Sequence, residues 1–176
     1  MRYKVKGIEI RSENAARSGS QASRFVLEWI NSNEIVKSAL DYGCGKLRYS
    51  IKLSRHCNRL TLVDSEIQLN RIQRIGGELT TIRDYVDNYL KNARVLTIEE
   101  FFIDPEEYDL VLCANVLSTI PIPSVRSKVL RRLYHVLSVN GICLFVTQFR
   151  NSYFKKISLS NGAFNHLDGW ILKSSR

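Results

Sequence analysis

Two carboxylates and two glycines carry the most legible chemistry in this chain. Asp41-x-Gly43-x-Gly45 closes the run Ala39-Leu40-Asp41-Tyr42-Gly43-Cys44-Gly45, and Asp64 closes Leu60-Thr61-Leu62-Val63-Asp64. Apolar residues ending in a glycine pair read as a buried strand breaking into a tight turn. Glycine tolerates positive φ there and lets a ligand lie directly on the backbone. A helix after the turn would aim free N–H groups at that ligand. Such turns, at the carboxyl end of a first strand, are where open α/β sheets bind nucleotides, and an acid about 20 residues further on meets a ribose hydroxyl. The dinucleotide fingerprint G-x-G-x-x-G is not met, because Arg48 stands where the third glycine belongs. This holds down a nicotinamide-dependent oxidoreductase. The phosphate-loop pattern G-x-x-x-x-G-K-[ST] is absent as well.

Alternating strand and helix patterns surround these residues. Residues 1–20 read as an N-terminal arm without periodicity, and 21–176 as a single domain. A helix from Gln21 to about Lys37 places Ala22, Phe25, Val26, Trp29 and Ile30 on one face. Strand one follows at 38–42, a helix at 46–57 and strand two at 60–64. Ser65 caps a helix over 66–75 that Gly76-Gly77 ends. Thr80 or Thr81 opens another, with Ile82, Tyr85, Val86, Tyr89 and Leu90 on one face. Strand three is about 94–98, 99–108 reads as a loop, and Asp109–Ala114 is a continuous apolar fourth strand. Pro123 starts a helix to about Leu137, and Asn140-Gly141 turns into strand five at 142–147. The pattern predicts an α/β fold, doubly wound, with a mostly parallel sheet.

The segments ALDYGCG at 39–45, LTLVDS at 60–65, YDLVLCANVLSTIP at 108–121 and LYHVLSVNGICLFVTQF at 133–149 resemble the class I S-adenosylmethionine-dependent methyltransferases in order and spacing. The resemblance runs over roughly residues 20 to 150. It implies a Rossmann-like sheet of seven strands, the last two an antiparallel pair. With 29 residues left after Thr147, that pair is expected to be trimmed, near 153–159 and 169–174. It also implies S-adenosylmethionine as cofactor. Gly43 and Gly45 would admit its methionine portion, Asp41 would organise the loop and the amino end, and Asp64 would take both ribose hydroxyls. Ser65 would line the adenine or cap its helix, and a residue near Thr97-Ile98, or Glu99, would lie against the adenine amine, with Thr97 taken and backbone contact preferred. Asn115 would face the sulfonium, and Arg17 would pair with the carboxylate. Tyr153 and Phe154 are candidates for a substrate wall. No catalytic residue is singled out, since methyl transfer from a sulfonium mainly needs alignment. The Asn/Asp-Pro-Pro-aromatic motif of nucleobase amine methylation is missing at Ala114-Asn115-Val116-Leu117, and Cys113 has no preceding proline to make it a nucleophile.

Bulk properties bound the rest. No metal site is expected, because Cys44, Cys57, Cys113 and Cys143 show neither C-x-x-C nor ligand spacing. With no apolar stretch of membrane length and no signal-peptide core in MRYKVKGIEI, a cytoplasmic protein without membrane contact is expected. The net charge of +9 is uneven: residues 1–63 hold twelve Lys/Arg against five Asp/Glu, 64–109 five against eleven, and 110–176 nine against one. A small-molecule acceptor is the favoured expectation, and the basic segments keep RNA or DNA as an alternative acceptor. A reading of a different class is a non-catalytic S-adenosylmethionine-binding domain, serving as a partner subunit or as part of a larger protein.

Overall fold

The computed structural model describes residues 2–17, 19–147, 155–156, 158–160, 162–167 and 169–172. Its centre is a five-stranded parallel sheet built from β3 (Val36–Tyr42), β4 (Cys57–Asp64), β7 (Ala93–Thr97), β8 (Tyr108–Ala114) and β9 (Leu137–Val146). Their spatial order is β7-β4-β3-β8-β9. Three hairpins stand apart from it: β1 (Arg2–Val5) with β2 (Ile8–Arg11), β5 (Gln73–Ile75) with β6 (Glu78–Thr80), and β10 (Ala163–His166) with β11 (Gly169–Leu172). The helices are α1 (Arg24–Ser32), α2 (Ser50–Leu53), α3 (Glu66–Asn70), α4 (Ile82–Tyr89), α5 (Ile98–Ile103) and α6 (Pro123–His135).

Both faces of the sheet are buried, which explains the near-continuous apolar strands. Successive side chains point to opposite faces. Ala39, Leu60, Leu62, Leu110 and Leu112 therefore join one core with Val26 and Ile30 of α1, Leu53 of α2, Leu69 of α3, and Ile82 and Val86 of α4. Leu40, Tyr42, Val63, Val111 and Cys113 join the other with Phe101 of α5 and Val129 and Leu133 of α6. The doubly wound expectation is met. The described residues put five strands in the main sheet, and the last two pair with each other in a sheet of their own.

Several elements differ from the sequence reading, each for a local reason. Residues 2–11, read as irregular, form the β1–β2 hairpin through Lys6 and Gly7, both at positive φ. Its Tyr3 packs into the second core. The helix expected over 46–57 is reduced to α2, because Leu47 adopts φ +57° while its side chain is fully buried. The helix expected over 66–75 stops at Asn70. Gly76-Gly77, with both φ positive, makes the β5–β6 hairpin rather than a helix end. Residues 99–103 of the expected loop, with Ile98 from the expected third strand, form α5, opened by a capping box between Thr97 and Glu100. Phe25, placed on the inner face of α1, points to solvent instead. Asn140-Gly141 bends β9 rather than preceding it, with a register shift opposite Tyr108 and Leu110. Near the C-terminus, residues 163–166 pair with 169–172. Part of the expected 153–159 strand, with Tyr153 and Phe154, lies outside the described residues.

Candidate functional site

The chain runs from β3 outward through β4 to β7, then crosses back to β8 on the other side of β3. The order therefore reverses between β3 and β8, and the carboxyl ends of these two strands flank a switch-point crevice. The cleft there is lined from β3 and its turn by Asp41, Tyr42, Gly43, Cys44 and Gly45. Asp64 and Gln68 contribute from β4 and α3, and Ala114, Asn115 and Val116 from the tip of β8. Ser12, Glu13, Ala15, Ala16 and Arg17 close it from the N-terminal side, leaving a cavity of about 80 Å³.

The glycine turn is held on several sides. Gly43 and Cys44 donate their backbone N–H groups to the carbonyl of Val63 at 2.7 and 3.1 Å. Gly45 donates to Asp64 Oδ2 at 2.9 Å. A Cβ at Gly43, whose φ is +76°, would fall 2.3 Å from Val116 Cγ2, so close packing against the β8 tip requires a glycine there. Gly45, at φ +59°, has Ala16 stacked 3.4 Å from where a Cβ would be.

Each acid has a distinct setting. Asp41 is 2% exposed, and its Oδ2 accepts from the Ser50 hydroxyl at 2.6 Å. The helix after the turn thus acts through a side chain at its start. Burial pushes the Asp41 carboxyl up to about 6; the Ser50 bond opposes this, Asp64 adds to it and Arg48 offsets part. Asp64 accepts from Gly45 N–H through Oδ2 and from Ser65 N–H through Oδ1, the latter at 2.7 Å. Its carboxyl is raised by burial, against those bonds. Asp64 Oδ1 also meets the Ser65 hydroxyl at 3.4 Å, so Oδ2 is the Asp64 oxygen with a further lone pair for a hydroxyl donor.

Of the sequence-predicted residues, Asp41, Gly43, Gly45, Asp64, Asn115 and Arg17 come together at the cleft. Asn115 sits at φ +60°, where Asn is among the residues best tolerated. Ser65 and Thr97 lie outside the lining. Ser65 stands at the head of α3 with its hydroxyl 3.4 Å from Asp64 Oδ1. The Thr97 hydroxyl accepts from Glu100 N–H at 3.1 Å, and Ile98 beside it reaches the cleft instead. The helical signature Thr97-x-x-Glu100 was readable in the sequence and accounts for this use of Thr97. Sequence reasoning missed Gln68, Val116, Thr119, Ser12 and Glu13. Gln68 left a faint signal, an amide between Ile67 and Leu69 one helical turn after Asp64. Cys113 is buried and its thiol pushed up by burial, in keeping with its rejection as a nucleophile. Among the described residues no helix is long and apolar enough to cross a membrane.

The methyltransferase domain family matches residues 40–145, from the end of β3 into β9. An uncharacterised Escherichia coli K12 protein, YmfD, is 41% identical over 176 residues, all of this chain and 78% of that protein. Among solved structures, the N-methyltransferase NodS from Bradyrhizobium japonicum, in complex with S-adenosyl-L-homocysteine, aligns at a TM-score of 0.53 and 19% identity. The match covers 69% of this chain and 58% of that one. The DhpI–SAM–HEP complex aligns at 0.55 and 19% identity, over 84% of this chain and 67% of that one. These structural likenesses speak to the fold. The family match and the full-length relative together place the chain in the methyltransferase domain family, among the class I S-adenosylmethionine-dependent methyltransferases.

Proposed function

We propose that the protein binds S-adenosylmethionine in the switch-point cleft and transfers its methyl group to a small-molecule acceptor. The observation that carries this is the pairing of a backbone-pinned glycine turn with two adjacent acids, Asp41 and Asp64, at the ends of neighbouring parallel strands. Bound there, the cofactor supplies an activated methyl: the acceptor's lone pair bonds to the methyl carbon as the carbon–sulfur bond breaks, sulfur keeps that electron pair, and the acceptor's proton passes to solvent. The chain's own work is to bind and orient. Asp64 would take a ribose hydroxyl on Oδ2, and a second on Oδ1 in exchange for the long Ser65 hydroxyl contact, in charge-assisted bonds. Asp41, ionised beside the ligand's ammonium group, would hold the amino end, and Arg17 in the cleft lining would meet the carboxylate. Asn115 and Ala114 at the tip of β8 border the sulfonium and the acceptor. The donor set fits this ligand, whose groups are hydroxyl, ammonium and carboxylate.

Admission of the ligand asks for movement. A cavity of about 80 Å³ is well below the roughly 300 Å³ at which ligand pockets begin. Ala16 rests on Gly45, where the ligand would lie. Segment 12–17 is therefore the part that gives way and then covers the bound cofactor.

Calorimetric titration of S-adenosylmethionine and S-adenosylhomocysteine into the wild type and Asp64→Ala tests the reading. Wild-type binding that weakens about tenfold or more in the variant is expected, the scale of losing hydrogen bonds to a charged group. No binding by the wild type would overturn the assignment. Binding without methyl transfer to any fractionated metabolite pool would favour the non-catalytic reading.

A further inference from the structure

Gln68 is fully buried in α3 and lines the cleft, yet no charge or glycine pattern marks it. Its amide orientation follows from its neighbours. Gln73 donates Nε2 to the main-chain carbonyl of Gln68 at 3.1 Å, which can only accept. Gln73 Oε1 therefore faces Gln68 at 3.0 Å, and the atom it meets must be the donor Nε2. That same Nε2 donates to the carbonyl of Gly45 at 2.5 Å. Gln68 Oε1 is left buried without a hydrogen-bond partner among the described residues.

We propose that Gln68 is a positioning residue that clamps the glycine turn in its ligand-ready shape. Asp64 holds the N–H of Gly45 and Gln68 holds its carbonyl, so the residue at the apex is fixed from both of its peptide groups. Gln73, outside the cleft lining, fixes the amide that does this. An apolar side chain at position 68 would remove the partnerless Oε1 but leave the Gly45 carbonyl and Gln73 Oε1 without the donor they share, and a stranded buried acceptor is costly. The amide is accounted for by its bond to Gly45. The inference rests on the cofactor reading above for its consequence, and on Gly45 alone for its geometry.

Two variants test it, Gln68→Met, which keeps length without a donor, and Gln68→Glu, whose acid can donate to Gly45 only when protonated. In ligand-free protein, amide hydrogen exchange of Gly45 is expected to quicken about fivefold or more in Gln68→Met, with the melting temperature lowered because Gly45 and Gln73 lose their shared donor. Gln73→Met should give the same signature at smaller amplitude and covers the case of a variant that does not fold. With S-adenosylhomocysteine as probe, titrated from pH 5 to 8, Gln68→Met should bind about five- to tenfold more weakly than wild type at every pH. The deficit of Gln68→Glu should shrink towards low pH as its acid regains a proton. Unchanged Gly45 exchange, or a Gln68→Glu deficit that stays flat with pH, overturns the clamp. A wild type that fails to bind the probe removes the cofactor reading, while Gly45 exchange still decides the role of Gln68.

Discussion

Asp41 shows how one side chain can serve both the fold and the site. It is almost completely buried, and a single Ser50 hydroxyl at 2.6 Å does not offset its loss of water. Its pKa of about 6 lies above the ordinary value of 3.8. Folded Asp41 thus holds its proton more tightly than the unfolded chain does. The stabilisation this brings is full below the unfolded value and is lost as pH rises through about 6. Asp41→Asn, which can still accept from Ser50, should stabilise the protein by roughly 2 kcal/mol at pH 7.5 and by little at pH 4. Denaturant melts at the two pH values check this. A cofactor ammonium group would favour the ionised form. Affinity for S-adenosylhomocysteine should therefore weaken as pH falls through about 6 in the wild type, and stay flatter in Asp41→Asn. Parallel pH profiles for the two proteins would detach Asp41 from the ligand.

At the level of elements, short helices do the positioning. α2 has only four residues, and it places Ser50 on Asp41 because Leu47 turns the chain at positive φ just before it. α5 starts at a capping box of two bonds, Thr97 Oγ1 from Glu100 N–H and Glu100 Oε2 from Thr97 N–H, which engage both the hydroxyl and the N–H of the residue that the family resemblance placed beside adenine. The loss of a cap costs about 1 kcal/mol. Thr97→Ala is expected to destabilise the protein by that amount and leave S-adenosylhomocysteine affinity unchanged. A several-fold loss of affinity in that variant would return Thr97 to the binding residues. Arg132 of α6 reaches the carbonyls of Phe101 and Asp104, which ties the far end of α5 to the neighbouring helix.

Across the whole molecule, charge and topology act independently. The switch point between β3 and β8 places the cleft, whereas the net charge of +9 sits mainly on the two terminal thirds of the chain. The N-terminal and C-terminal hairpins meet where the Lys6 ammonium lies 5.6 Å above the Phe164 ring. His166 in turn contacts the carbonyl of Pro121 at 3.2 Å, beyond the tip of β8. If the basic surface engages polyanions, fluorescence anisotropy with labelled single-stranded RNA should show binding that weakens steeply with salt. S-adenosylhomocysteine affinity should change little over the same range, because the cleft acids are buried and weakly screened. Salt-insensitive or absent RNA binding would remove nucleic acid from the acceptor classes.

The sequence by itself determined the parallel sheet and the place of the glycine turn. Apolar runs such as Leu110–Cys113 are local patterns with one economical outcome, a strand covered on both faces. Gly43, Gly45, Asp41 and Asp64 were legible for the same reason, since their roles depend on spacing along two strands. Tertiary structure alone decided which groups hold the turn. The Gln68–Gly45 contact spans 23 residues and the Gly45–Asp64 contact 19, and neither leaves a periodic trace. The positive φ at Leu47 is imposed by burial of its side chain, against local helix preference. The seat of Ala16 on Gly45 depends on the β1–β2 hairpin docking through Tyr3. Contacts between distant segments become readable only once the sheet has brought those segments together.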